Sequence, residues 1–277
     1  MTSSRIRLLK LIRNFIVLFI IFKATEPLAH IIFIPIDNLL NKILPSNLSK
    51  ESYDNLKHIF LMFTYQIFSI FVFYIVYRLK GYNRIKRRIK LNLKTFIQFA
   101  IITFGSTILS AIWIVLVLIL SKFFAVFRNS LNALNSSFSF LNENIYLTFI
   151  SAVILAPIME ELFFRGIVFN EASKYKKGAF PIIVSGLLFG LVHMHPIQIV
   201  YASIFGIILG LVYNKTHSLT ITIFMHMLAN LSGLAQGNLK FFLCLFPGIC
   251  FFPMISLLKN LYKPQKNGQS YKNNLQN

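Results

Sequence analysis

The chain has 277 residues, of which 56% are hydrophobic, 15% aromatic and only 13% charged, where a soluble domain carries about 25% charge. With a mean hydropathy of +0.67, this composition excludes an ordinary water-soluble domain. The formal net charge of +20 does not argue for nucleic-acid binding, because the basic residues lie between apolar runs and not along a polar groove.

A hydrocarbon core of about 30 Å needs roughly 20 apolar residues in a helix. Eight runs qualify, at 14–36, 58–78, 95–121, 145–170, 179–195, 198–214, 219–236 and 239–258. The expected fold class is therefore all-α: a polytopic membrane bundle of about eight transmembrane helices. The first run follows Arg5, Arg7, Lys10 and Arg13 and is interrupted by Lys23, Glu26, Pro27 and His30. Its length and the lack of a small-residue cleavage site argue against a removable signal peptide.

Charge in the loops tests this reading. With the N-terminus inside and Arg78 assigned to the inner boundary, the inner segments 1–13, 79–94, 171–178, 215–218 and 259–277 hold 20 of the 28 Lys and Arg. The outer segments hold six (Lys42, Lys50, Lys57, Lys122, Arg128 and Lys240), and Lys23 and Arg165 fall within spans. This asymmetry follows the positive-inside rule, places both termini in the cytoplasm, and accounts for the high pI through anionic lipid headgroups. The Asn- and Ser-rich segment 129–144 reads as an outer loop, and the polar tail 263–277 as disordered.

The fourth run carries Glu160-Glu161-Leu162-Phe163-Phe164-Arg165-Gly166. Carboxylates inside an apolar helix are costly and mark function, or else a helix-packing ion pair or an interfacial helix end. Glu161 and Arg165 are four apart and share a face, so Arg165 can hold Glu161 as a buried pair. Glu160 sits about 140° around the helix from Arg165. It is the less compensated carboxylate and is suited to proton transfer.

The fifth run brings Phe189-Gly190-Leu191-Val192-His193. Glu160 precedes Lys174 by 14 residues and His193 follows Lys177 by 16, so both can reach similar depths, about 21 and 24 Å from the connecting loop. His193 can still be a hydrogen-bonded packing residue, and His195, just before Pro196, reads as a span-end residue outside the site. Gly186 and Gly190, then Gly206 and Gly210, are spaced for close helix packing.

The seventh run holds His226 and Asn230, four apart on one face. Such a pair can stabilise an oxyanion in a dry site or hydrogen-bond between helices. In the last run Cys244 and Cys250 are six apart and point away from each other, which implies neither a disulfide nor a cysteine-ligated metal.

Taken in order, EExxFRG at Glu160 to Gly166, FxxxH at Phe189 and His193, and HxxxN at His226 and Asn230 resemble the CPBP family. This is the CAAX-protease and bacteriocin-processing group of intramembrane peptidases. The likeness spans roughly residues 145–235 and implies a catalytic membrane core at 141–258. It leaves 1–140 as unassigned N-terminal membrane helices and 259–277 as a cytoplasmic tail. The resemblance implies that Glu160 and His193 activate a water, that His226 and Asn230 stabilise the oxyanion, and that Glu161 and Arg165 brace the site. No cofactor is favoured. Zinc held by Glu160, His193 and His226 is the alternative, but Asn230 is a poor zinc ligand.

The expected partner is a membrane-embedded, lipidated or C-terminal peptide or protein. The expected location is a bacterial cytoplasmic membrane, where relatives are implicated in bacteriocin immunity. The competing readings are a catalytically silent immunity or regulatory protein and a proton-coupled transporter. The latter lacks internally repeated halves.

Overall fold

The computed structural model describes residues 3–44, 49–85, 89–139, 145–234 and 238–263. These form nine helices: α1 (Ser3–Ile43), α2 (Lys50–Leu79), α3 (Leu93–Phe123), α4 (Ala125–Ser139), α5 (residues 145–175), α6 (Ala179–Leu191), α7 (Pro196–Thr216), α8 (Leu219–Leu234) and α9 (Asn238–Tyr262). A 3₁₀ turn, Tyr82–Arg84, follows α2. Among the described residues α1, α2, α3, α5 and α7 are long and apolar enough to cross a membrane, and α6 and α8 are shorter apolar helices. The chain is a polytopic helical bundle.

The expected outer loop at 129–144 is corrected over most of its length, because α4 runs to Ser139. Phe127, Leu131 and Leu134 recur at helical spacing and pack on Trp113, Val117 and Ile197, so three apolar positions suffice to hold a helix rich in Asn and Ser. Residues 140–144 and most of the expected disordered tail, 264–277, lie outside the described residues.

Two apolar clusters flank the centre. One joins α1, α2, α5 and α6 through Phe22, Phe73, Phe163, Phe164 and Phe189. The other joins α3, α7, α8 and α9 through Phe99, Ile102, Leu209, Met225 and Met254. Cys250 is a buried free thiol; its carbonyl faces Gly105, where a Cβ would come within 2.8 Å. The side chain of Cys244 lies outside the described residues.

The α6–α7 hairpin is built on glycine. A Cβ on Gly186 would lie 2.7 Å from the backbone of Ile207, and one on Gly206 would lie 2.9 Å from the Gly186 carbonyl. Only glycine permits this approach, which seats α7 directly behind the site.

Candidate active site

α5 is not a uniform α-helix. Residues Phe149–Leu155 and Leu162–Phe169 are π-helical, and the intervening α-helical stretch Ala156–Glu161 presents Glu160 and Glu161. Wide π turns recur at functional sites. Here the wide register has a cause and a consequence. Ala156 donates its N–H to the Ser151 carbonyl, five residues back. The next donor in that register would serve the Ala152 carbonyl, but it is Pro157, which has no N–H. Asn230 takes the vacant acceptor, donating its Nδ2 to the Ala152 oxygen at 2.8 Å.

Glu161 is fully buried and central. Its Oε1 accepts from Arg165 Nη1 at 2.7 Å and from His226 Nδ1 at 3.0 Å. Arg165, also fully buried, gives Nη2 to the Gly206 carbonyl at 2.7 Å. Asn170 then donates to the carbonyls of Arg165 and Gly166, and lies 3.0 Å from the Tyr213 hydroxyl. Helices α5, α7 and α8 are thus fastened to one another by charged and amide groups.

With Nδ1 on Glu161, His226 turns Nε2 toward Glu160, whose Oε2 is 3.7 Å away. Glu160 keeps 18% of its side chain exposed, against 0% for Glu161.

His193 lies in the turn after α6, which ends at Leu191, and not within a continuous span. Its Nδ1 is 2.8 Å from the Phe189 carbonyl. A carbonyl only accepts, so Nδ1 carries a hydrogen, and in the neutral ring Nε2 is the acceptor. Met194, with φ of 57°, reverses the chain, and His195 precedes α7. Phe189 explains its own place in the motif. Its ring stacks edgewise on both His193 (5.2 Å) and His226 (5.3 Å), and the Arg165 guanidinium sits 4.8 Å from its centroid.

The structure therefore brings Glu160, Glu161, Arg165 and His226 into direct contact. His193 and Asn230 are bonded elsewhere: His193 shares the Phe189 ring with His226, Asn230 holds the Ala152 carbonyl, and among the described residues neither makes a hydrogen bond or ion pair with Glu160. Among the described residues no three His, Cys, Asp or Glu side chains are grouped to hold a metal ion.

Sequence reasoning missed two polar centres nearby. Buried Gln66 on α2 accepts from the Ser151 hydroxyl at 3.1 Å on the first π stretch. Near the other end of α5, buried Glu171 accepts from Asn14, from the Tyr82 hydroxyl and from Lys174 (3.2 Å), with Lys80 at 3.7 Å. Burial, then the hydrogen bond to Glu171, pushes the Tyr82 phenol well above its ordinary range, so it remains a donor. Tyr82 and Asn14 lie 89 and 157 residues from Glu171 in sequence, and no local pattern signals them.

Residues 142–232 match the family profile described as "Type II CAAX prenyl endopeptidase Rce1-like". The chain is also 29% identical over 84 residues to the "Putative membrane peptidase YdiL" of Bacillus subtilis (strain 168), covering 30% of this chain and 34% of that relative. The chain thus spans about a third of the length of the curated relative it matches. No solved structure matches it significantly. The matched segment contains every side chain of the Glu160–Glu161–Arg165–His226 cluster, and over that segment the chain is similar to the type II CAAX prenyl endopeptidases.

Proposed function

We propose that the chain is an intramembrane endopeptidase of CAAX type that hydrolyses a membrane-associated, lipidated or C-terminal peptide or protein without a metal ion. The observation that carries this reading is the Glu160–His226–Glu161–Arg165 chain of contacts, buried between α5, α7 and α8. A purely structural ion pair needs only Glu161 and Arg165. The second, partly open carboxylate facing an imidazole is what water activation requires.

In the proposed reaction Glu160 and the bare Nε2 of His193 take a proton from water as its oxygen attacks the peptide carbonyl. The oxyanion is stabilised by His226 through Nε2 and by the second Nδ2 hydrogen of Asn230. The C–N bond then breaks, and the proton taken from water passes to the departing amine. Glu161 and Arg165 hold His226 in place and touch no substrate. The match to a Bacillus relative supports a bacterial cytoplasmic membrane, with anionic headgroups contacting the basic loops.

The test is peptidomics of membranes carrying the wild type or Glu160→Gln. Uncleaved membrane peptides are expected to accumulate with the variant, and identical peptide profiles would end the reading. Metal analysis of purified, active protein tests the cofactor: stoichiometric zinc would replace the glutamate-type mechanism with a metal-dependent one.

A further inference from the structure

Charge that the proposed site does not use lies on α1. Lys23 and Glu26 are both exposed and sit inside an apolar span. Polar residues mark the ends of this span: Arg13 at the basic end, and Asp37, paired with Lys57 at 2.7 Å, at the other. Lys23 is ten residues from Arg13, and Glu26 is eleven from Asp37, so each lies about 15 Å from its nearer end. A lysine stem is too short to carry its ammonium that far to an interface. Among the described residues neither group forms an ion pair or a hydrogen bond with its own chain. Ionisable groups left so at mid-bilayer are costly and call for a partner.

The surrounding residues indicate which partner. The exposed positions Ile12, Ile16, Phe19, Lys23, Glu26 and His30 repeat with the alternating four- and three-residue spacing of a coiled-coil seam. This seam is separate from the stripe of Leu18, Phe22, Thr25 and Ala29 that is buried in the bundle.

We propose that α1 is the contact surface between two copies of this chain, closed at mid-bilayer by two reciprocal Lys23–Glu26 ion pairs. Copies inserted with the same topology are related by a two-fold axis along the membrane normal, so equal residues lie at equal depth. Lys23 of one copy then needs to reach only three residues, about 4.5 Å of helix rise, to meet Glu26 of the other. The symmetry makes the same pair a second time. In a heptad seam the side chain at 23 also enters a hole lined by position 26 of the opposite helix. An unrelated helix or a peptide would have to carry a matching acid and base at this depth, whereas a second copy brings both. The surface does not depend on the peptidase reading.

The full chain is reconstituted in phosphatidylcholine–phosphatidylglycerol vesicles and its association is read by single-molecule photobleaching. Disulfide formation is read in a Cys244→Ser, Cys250→Ala background. Phe19→Cys is expected to give a linked dimer, and Leu28→Cys, on the opposite side of α1, none. Lys23→Glu or Glu26→Lys alone should weaken association on the order of tenfold, and the two together should restore it. Chains that remain single at every protein-to-lipid ratio, equal linking at Phe19 and Leu28, or a double variant no better than the single ones would overturn the proposal. So would a monomeric wild type that uses α1 to hold a different membrane protein. If the charge variants do not fold, the cross-linking pattern of the charge-intact chain decides alone.

Discussion

His226 Nδ1 and Arg165 Nη1 meet on one oxygen of Glu161, at 3.0 and 2.7 Å. That sharing gives Glu161 two duties: it neutralises a buried guanidinium and it fixes the direction of His226 Nε2. Glu161→Gln removes the charge while keeping the shape. It leaves Arg165 buried and uncompensated, which costs about 3–5 kcal/mol in comparable buried pairs. The expected outcome is a lower unfolding temperature in detergent together with loss of cleavage. A variant that melts with the wild type would show that the pair does not hold the bundle.

Arg165→Lys separates charge from geometry. Arg165 serves Glu161 through Nη1 and the Gly206 carbonyl through Nη2, and a single ammonium cannot span both acceptors as a planar fork does. Thermal unfolding should drop by less than with Glu161→Gln, since a positive charge remains, but cleavage should fall with it. Equal activity of the two side chains would refute the fork requirement.

Pro157→Ala tests the link between the π register and Asn230. Alanine returns an N–H that can compete for the Ala152 carbonyl now held by Asn230. The fold should be kept, because a proline in a helix interior is replaced by a good helix former. Turnover should fall by about 10²-fold, the scale of losing an oxyanion donor, with little change in KM. Full activity in Pro157→Ala would mean that the amide does not depend on this acceptor.

The apolar runs were legible because membrane helices must be long and apolar, and Glu161–Arg165 was legible because four residues make one helical turn. Other features had no local pattern. The helix at Ala125–Ser139 is disguised by Asn and Ser around three apolar anchors. The π stretches leave no trace except Pro157. The Gly206 carbonyl is a backbone acceptor, and nothing in its residue type announces that Arg165, 41 residues away, will bond to it. His193 was expected within a span and lies in a turn, because Pro196 begins the next helix and holds the residue before it, His195, in an extended conformation.

Glu171→Gln probes the polar hub that ties α1, the Tyr82 turn and the end of α5 together. The carboxylate is buried, yet Lys80 and Lys174 are 38% and 53% exposed, so each ion pair is weakened by solvent. A cost of about 1–3 kcal/mol is expected, chiefly from donors left without an ionised acceptor. Hydrogen exchange should rise selectively at the start of α1 and around Tyr82, with protection of α7 unchanged. Uniform loss of protection would identify a global effect instead.

Gly206 joins the hairpin to the active site, which makes it the sharpest test of both. Its carbonyl takes Arg165 Nη2, and its Cα faces Gly186 across the α6–α7 contact. An added Cβ would lie 2.9 Å from the Gly186 oxygen and 3.0 Å from the Phe189 ring. Backbone cannot yield as a flexible side chain does, so Gly206→Ala should part the two helices and tilt the ring on which both imidazoles rest. Overpacking of this kind costs about 1–3 kcal/mol. Gly233→Ala on α8 is the control, because nothing lies within 4 Å of its added Cβ. There the gain in helix propensity should leave stability unchanged or raise it by up to about 1 kcal/mol. Thermal unfolding of the two variants should therefore move in opposite directions, with cleavage lost only in Gly206→Ala. Equal behaviour would mean that the tight hairpin does not position the site.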